Sequence, residues 1–121
     1  MGLSAALLCV ALTVYHEARG EPVAGQLAVA NVIHNRAGGD PKKYCNVIHT
    51  PKQFSWSQKG WKVNTNSAEW AASVQVAKSF LQFPDVSLEA THFHERKARP
   101  SWRHKFVLVA HFGSHFFYKG A

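Results

Sequence analysis

The residues best suited to acid–base chemistry lie in one short cluster, YHEARGEP, at positions 15–22. Glu17 lies near the C-terminal end of an apolar, helix-like stretch, so its carboxyl group should be partly desolvated and close to the negative end of the helix dipole. Both effects raise the pKa of a carboxyl group. A carboxylic acid that remains protonated near neutral pH can donate a proton to a leaving oxygen. Glu17 is therefore the candidate general acid, and the alternative is a surface glutamate at a helix end.

The elements that must position this cluster are two helices on either side of it. Residues 4–19 are rich in Ala and Leu, with Ser4 suited to cap the helix and Gly20 suited to end it. Residues 22–36 carry a wide apolar face and predict a largely buried second helix. Glu17 is then expected at the corner between these two helices.

The rest of the chain predicts one more helix and a small sheet. Residues 66–81 have a helical apolar stripe, with Asn66 and Glu69 at capping-box spacing. Strands are expected at residues 90–94, 106–112 and 115–118, with Gly113-Ser114 forming a type II′ hairpin turn. Between residues 41 and 65 we find only a basic, aromatic loop. The fold class is α+β: a helix-rich domain with a small antiparallel sheet at its C-terminal end.

Composition and charge limit the class of protein. A chain of 121 residues with 46% hydrophobic residues is expected to form one domain, residues 1–121, with a real core. The chain has fourteen Lys and Arg residues but only seven Asp and Glu residues. This excess of positive charge predicts an anionic partner such as nucleic acid, acidic lipid or bacterial wall. The apolar residues 3–14 lack a preceding basic residue and are too short to span a bilayer, so they predict a buried helix and no membrane insertion. Cys9 and Cys45 are interpreted as free thiols.

Two other functional classes are considered. His92 and His94 on one strand, with His104, His111 or His115, could hold zinc in an amidase or peptidase. The chain has no HExxH motif and no paired Cys motif, so no metal or other cofactor is predicted. A non-enzymatic nucleic-acid binder would suit the net charge of +7, but no nucleic-acid motif is recognised.

Four segments resemble one enzyme family in the same order along the chain. They are HEARGEPVAGQLAVANVIHNR at residues 16–36, VIHTPKQFSW at 47–56, ATHFHERKARPSW at 90–102 and FGSHFFY at 112–118. Together they resemble the spore-cortex-lytic-enzyme type of cell wall hydrolases. The resemblance covers the catalytic domain alone, with no peptidoglycan-binding repeat, and in this the chain is similar to phage lysis enzymes of the family.

The resemblance implies a lysozyme-like scaffold and cleavage of the bond between N-acetylmuramic acid and N-acetylglucosamine. It implies that Glu17 is the catalytic residue of a lytic transglycosylase, which needs one carboxylate because the muramic C6 hydroxyl is the nucleophile. Glu21 is the rival second carboxylate. If it faces Glu17, muramidase-type hydrolysis becomes the alternative. Otherwise Glu21 is expected to cap the second helix.

Side-chain chemistry suggests which residues contact substrate, because aromatic rings stack on sugar faces and amides can bond N-acetyl groups. They are Glu21, the loop residues Gln53, Phe54, Ser55 and Trp56, and four residues expected to close the cleft opposite Glu17: His94, Trp102, His115 and Tyr118. The alternative for these residues is packing of the core or hairpin. The expected partner is peptidoglycan, not nucleic acid, and the enzyme is expected to be a monomer. Lacking an export signal, it would accumulate in the host cytoplasm before lysis and act on the periplasmic wall after release.

Overall fold

Two helices joined by a sharp corner form the first part of the fold. The computed structural model describes residues 3–50, 54–58 and 62–120. Helix α1 (Ala5–Ala18) begins at Ser4, whose hydroxyl accepts a hydrogen bond from the Leu7 N–H at 3.2 Å. Gly20 turns the chain with φ +80°, and helix α2 (Val23–Arg36) follows. The two helices and the corner between them are as the sequence predicts.

The segment predicted as an irregular loop contains two short helices. A 3₁₀ turn at Pro41–Lys43 leads into α3 (Tyr44–His49), and α4 (Ser55–Gln58) lies further along the chain. Neither was predicted, because helices this short carry little apolar periodicity. α3 lies against α1 and α2, and α4 follows α3 towards the C-terminal end of α1.

The third predicted helix is α5 (Ala68–Ser79). Its cap is Ser67, whose hydroxyl accepts a hydrogen bond from the Trp70 N–H at 3.1 Å, so the predicted Asn66–Glu69 capping box is wrong by one residue. Asn66 instead donates its backbone N–H to the side chain of Asn64 at 3.0 Å within the preceding turn.

A three-stranded antiparallel sheet closes the chain in the order β1-β3-β2. Its strands are β1 (His92–Glu95), β2 (Val107–Phe112) and β3 (His115–Lys119). The Gly113-Ser114 turn joins β2 to β3, with Gly113 at φ +55° and Phe112 paired with His115. The α+β class and the C-terminal sheet are confirmed.

The core is built around α1, which packs against α2, α3 and α5. Its residues Val10, Ala11, Thr13 and Val14 are completely buried, and they meet the equally buried Val29 and Ile33 of α2. Within the described residues, no helix is long and apolar enough to cross a membrane.

The two cysteines are joined, which corrects the interpretation that both are free thiols. Cys9 of α1 and Cys45 of α3 form a disulfide with their Cα atoms 5.4 Å apart. The sequence interpretation rested on the lack of a recognisable cysteine spacing, and a pair separated by 36 residues has none. The bridge ties the helix that carries Glu17 to the segment that leads towards α4.

Candidate active site

Glu17 lies in the last turn of α1, at the corner predicted from the sequence. Its side chain is half-buried, and its Oε2 accepts a hydrogen bond from the Trp56 indole N–H at 2.8 Å. The Trp56 ring stacks on His16 with centroids 4.6 Å apart. α1 and α4 together therefore fix the orientation of the Glu17 carboxyl group. Arg19 does not pair with it, since its guanidinium lies over the Tyr15 ring at 4.6 Å.

The surroundings of Glu17 raise its pKa above the ordinary value. Burial is the main cause, and the nearby carboxylate of Glu95 adds to it. The Trp56 N–H and the nearby His115 act in the opposite direction because both stabilise the charged form. Burial prevails, so the environment favours the protonated acid, as a proton donor requires.

Glu21 is held in the opposite protonation state. Its two carboxylate oxygens accept hydrogen bonds from the backbone N–H and the hydroxyl of Ser114, at 2.8 and 2.9 Å. These bonds, the backbone one first, lower the pKa of Glu21. The side chain thus fastens the corner to the β2–β3 turn. It makes no cap bond to α2, so the expected capping role is wrong.

His115 is the one of the four predicted cleft-closing residues that lies near both glutamates. It is 4% exposed, and its Nδ1 lies 3.5 Å from Oε1 of Glu21. It also lowers the pKa of Glu17 by its charge. The Phe93 ring packs against it with centroids 5.5 Å apart. Two neighbouring carboxyl groups whose pKa values are shifted in opposite directions are an arrangement typical of acid–base sites.

The other three predicted cleft residues form a separate cluster on the opposite face of the sheet. The alternation of β1 and β3 puts His94 and Tyr118 on the face opposite to Phe93 and His115. His94 Nε2 is hydrogen-bonded to the Tyr118 hydroxyl at 2.9 Å, and the Trp102 ring packs against both. In the structure these three residues pack on one another, on the sheet face opposite to His115.

The QFSW loop is only partly described. Gln53 and the Ser55 side chain lie outside the described part of the structure. Phe54 is 6% exposed and belongs to the core, packing on Phe93 with centroids 6.2 Å apart. Trp56 is half-buried and holds Glu17. Phe54 is thus a core residue, and Trp56 is part of the site around Glu17.

Two residues near Glu17 were not identified from the sequence as part of the site. Glu95 lies one residue beyond the predicted strand 90–94, but it is the last residue of β1 and its charge reaches Glu17. The available signal was the spacing of two residues between Phe93 and Glu95 in the HFHE segment, because residues two apart in a strand lie on the same face. His16 stacks on Trp56, and nothing in the sequence indicates that contact.

His92 and His94, the two strand histidines considered for zinc, are engaged with protein groups. His92 Nδ1 is 2.9 Å from the Thr91 hydroxyl, and both His94 nitrogens have partners, the Glu95 carbonyl and the Tyr118 hydroxyl. Across residues 3–50, 54–58 and 62–120, no three His, Cys, Asp or Glu side chains are grouped to hold a metal ion.

Comparison with known proteins gives both family and structural matches. The chain is similar to the catalytic domain of the germination-specific lytic transglycosylase SleB from Bacillus anthracis, with 28% identity, 98% of each chain covered and a TM-score of 0.79. It also resembles the catalytic domain of the Bacillus cereus SleB protein, with 24% identity, coverage of 98% of this chain and 93% of that one, and a TM-score of 0.74. A search of curated proteins gives no match. Residues 20–118 match the Cell Wall Hydrolase family, and this chain belongs to that family.

Proposed function

We propose that this protein degrades peptidoglycan as a lytic transglycosylase, with Glu17 as its acid catalyst. The observation that carries the proposal is the half-buried Glu17 carboxyl group, whose pKa is raised and whose orientation is fixed by Trp56. Membership of the Cell Wall Hydrolase family supports a peptidoglycan substrate. The reaction type is supported by the similar Bacillus anthracis domain, which is described as a lytic transglycosylase.

The proposed reaction needs one carboxyl group. Glu17 donates its proton to the oxygen that links N-acetylmuramic acid to N-acetylglucosamine, and the bond from C1 of the muramic residue to that oxygen breaks. The resulting Glu17 carboxylate takes the proton of the muramic C6 hydroxyl. The C6 oxygen attacks C1 and forms a 1,6-anhydro ring, so no water is consumed and Glu17 ends protonated. The attacking hydroxyl belongs to the substrate and has a high effective concentration.

The state of Glu21 favours this route over hydrolysis. A hydrolytic glycosidase normally needs a second carboxylate to activate water or to attack the sugar. Both Glu21 oxygens already accept hydrogen bonds from Ser114, and the carboxylate lies beside His115. We assign Glu21 the task of holding the corner and His115 in place.

The other functional assignments follow from the same proposal. Trp56, which is half-buried and hydrogen-bonded to Glu17, is the best supported substrate contact. His115 is almost completely buried beside Glu21, and we assign it a positioning role. Contacts through Gln53 and Ser55 stay predictions. The net charge of +7 suits an anionic wall polymer, and a monomer acting at the wall is proposed. The Cys9–Cys45 disulfide supports an oxidising compartment, such as the periplasm, as the place of action.

The test is Glu17→Gln, which keeps the size of the side chain and removes the acid. Release of soluble fragments from purified peptidoglycan should fall by about 10²- to 10⁴-fold. Glu89→Gln, at an exposed glutamate, is the matched control and should leave release unchanged. Mass spectrometry of wild-type products should find ends lighter by one water, the anhydro form.

Three results would contradict the proposal. Normal release by Glu17→Gln would remove Glu17 from the chemistry. Products with reducing ends would indicate muramidase-type hydrolysis. Inhibition by a strong chelator that added zinc reverses would favour the zinc amidase or peptidase, whereas the proposed enzyme should be indifferent to the chelator.

A further inference from the structure

A pocket lies between the end of α2 and β1, and two of its walls pack against Trp56 and His115, the neighbours of Glu17. Its volume is about 170 Å³. It is lined by Val32, Arg36, Phe54, Thr91, His92, Phe93 and Trp102. Phe54 and Phe93 are shared walls, because Phe54 packs on Trp56 at 6.1 Å and Phe93 packs on His115 at 5.5 Å, centroid to centroid. A ligand in this pocket would therefore lie one aromatic layer away from the groups around Glu17.

Arg36 is the charged group of the pocket, and it has no anionic partner. The guanidinium is half-buried, and its Nη1 makes one long hydrogen bond, 3.4 Å, to the Thr91 carbonyl. No ion pair forms between Arg36 and any carboxylate of the described residues. Burial lowers the pKa of Arg36, and no nearby acid offsets that effect. An arginine keeps its charge in proteins, so most of its five N–H donors are left for a ligand.

A structural role at the end of α2 is fulfilled by the preceding residue instead. The Asn35 amide donates to Asp85 at 3.0 Å and to the Ala90 carbonyl at 2.9 Å, tying the loop before β1 to the helix. Arg36 is thus not needed to tie this loop to the helix.

The other residues that line the pocket indicate the charge and polarity of its ligand. His92 has its pKa lowered by burial and by the charge of Arg36, so it is neutral at pH 7 and leaves one positive charge in the pocket. Val32, Phe54, Phe93 and Trp102 supply apolar walls. A single guanidinium fork beside the polar Thr91 and His92, with apolar side chains around them, fits a carboxylate attached to a short aliphatic group.

We propose that the Arg36 pocket binds a carboxylate of peptidoglycan while the glycan lies against Glu17. The carboxylate belongs either to the peptide stem or to the lactyl group of a muramic residue without a stem. The inference rests on the proposed function, since it assumes a wall substrate. It makes Arg36 a substrate-binding residue that selects for acidic wall polymer.

The test compares wild type, Arg36→Gln and a charge-matched control, Lys78→Gln on α5, using native peptidoglycan and peptidoglycan with its carboxyl groups amidated. On native substrate Arg36→Gln should lower kcat/KM at least about tenfold, the effect of one charge-assisted hydrogen bond. Amidation should lower the wild-type and Lys78→Gln rates to a similar degree and leave Arg36→Gln almost unchanged. If amidation slows Arg36→Gln by the same factor as wild type, the proposal is wrong.

Glycan strands whose stems have been removed by an amidase distinguish the two sources. If the stem supplies the carboxylate, wild type and Arg36→Gln should cleave these strands equally well. If the lactyl group supplies it, the difference between them should persist.

Binding measurements separate this proposal from the proposed function. In a Glu17→Gln background, pelleting with insoluble native peptidoglycan should weaken when Arg36→Gln is added, and pelleting with amidated material should not. Failure of wild type to cleave would contradict the proposed function alone, because this binding result needs no catalysis. Should Arg36→Gln fail to fold, as judged by thermal unfolding, Arg36→Lys provides the same comparison. It keeps the charge and loses the planar fork, so its binding to native peptidoglycan should be intermediate.

Discussion

At the scale of single residues, the proposed role of Glu17 as the acid leads to a prediction about its hydrogen bond from Trp56. The indole N–H stabilises the Glu17 carboxylate and so restrains a pKa that burial has raised. Activity should decline as the pH rises through the pKa of Glu17, because the acid is lost. Trp56→Phe removes the donor and should move this alkaline limb of the kcat/KM profile to higher pH. Trp70→Phe is the control: the Trp70 indole makes no hydrogen bond to Glu17, so its removal should leave the alkaline limb in place. A shift to lower pH in Trp56→Phe would contradict the assignment.

Glu21 makes a separate, testable contribution to stability. Its pKa in the folded protein is below the ordinary value of 4.5, so its stabilisation is complete above that pH and is lost as the pH falls through the lowered value. The free energy of unfolding, measured by urea titration at several pH values, should therefore decline more steeply in acid for wild type than for Glu21→Gln. Glu89→Gln serves as the control because its only described ion pair, with Lys119, is exposed. Parallel wild-type and Glu21→Gln curves would show that the Ser114 contacts do not stabilise the carboxylate.

At the scale of elements, the β2–β3 turn is fitted to the corner between α1 and α2. Gly113 has φ +55°, and a Cβ placed there would collide with a carboxylate oxygen of Glu21 and lie 2.9 Å from Pro22 Cδ. Gly113→Ala should cost about 2 kcal/mol or more, from backbone strain and the collision together. Gly38→Ala has a similar φ of +65° and open space around the added carbon, so it should cost about 1 kcal/mol. Urea unfolding of both variants measures the difference. Equal losses would mean that the turn yields to the added methyl group.

The elements also show how far the sequence predicts this fold. Local signals sufficed for α1, α2, α5 and the Gly113 turn, since caps, apolar stripes and turn residues lie within a few positions of one another. The place of Glu17 at the corner after α1 was predictable for the same reason, since the helix end is marked by neighbouring residues. The effect of Glu95 on Glu17 depends on how β1 pairs with β3, and this register is set by contacts distant in sequence. The roles of Arg36 and of His94 likewise follow from tertiary packing, which no local pattern encodes.

At the scale of the whole molecule, a covalent bond links the helix that carries Glu17 to the segment before Trp56. The Cys9–Cys45 disulfide joins α1, which has Glu17 in its last turn, to α3, which precedes Trp56 in the chain. A chain made in the cytoplasm would hold these thiols reduced until it reached an oxidising compartment. The oxidised form, which would exist in the compartment of the wall, should therefore be more stable than the reduced form in the cytoplasm.

Closing a loop of 36 residues should stabilise the fold by about 4 kcal/mol, chiefly by restricting the unfolded chain. Urea unfolding of the oxidised protein should thus have a clearly higher midpoint than unfolding in the presence of dithiothreitol. The double variant Cys9→Ala/Cys45→Ala is the control, because its midpoint should be low and should not respond to the reductant. Peptidoglycan release, measured under conditions in which both forms remain folded, should be similar, since neither sulfur contacts Glu17 or Trp56 among the described contacts. If oxidised and reduced wild type unfolded at the same urea concentration, the bridge would contribute nothing to stability. An enzyme assembled in the cytoplasm would then gain no stability on reaching the wall.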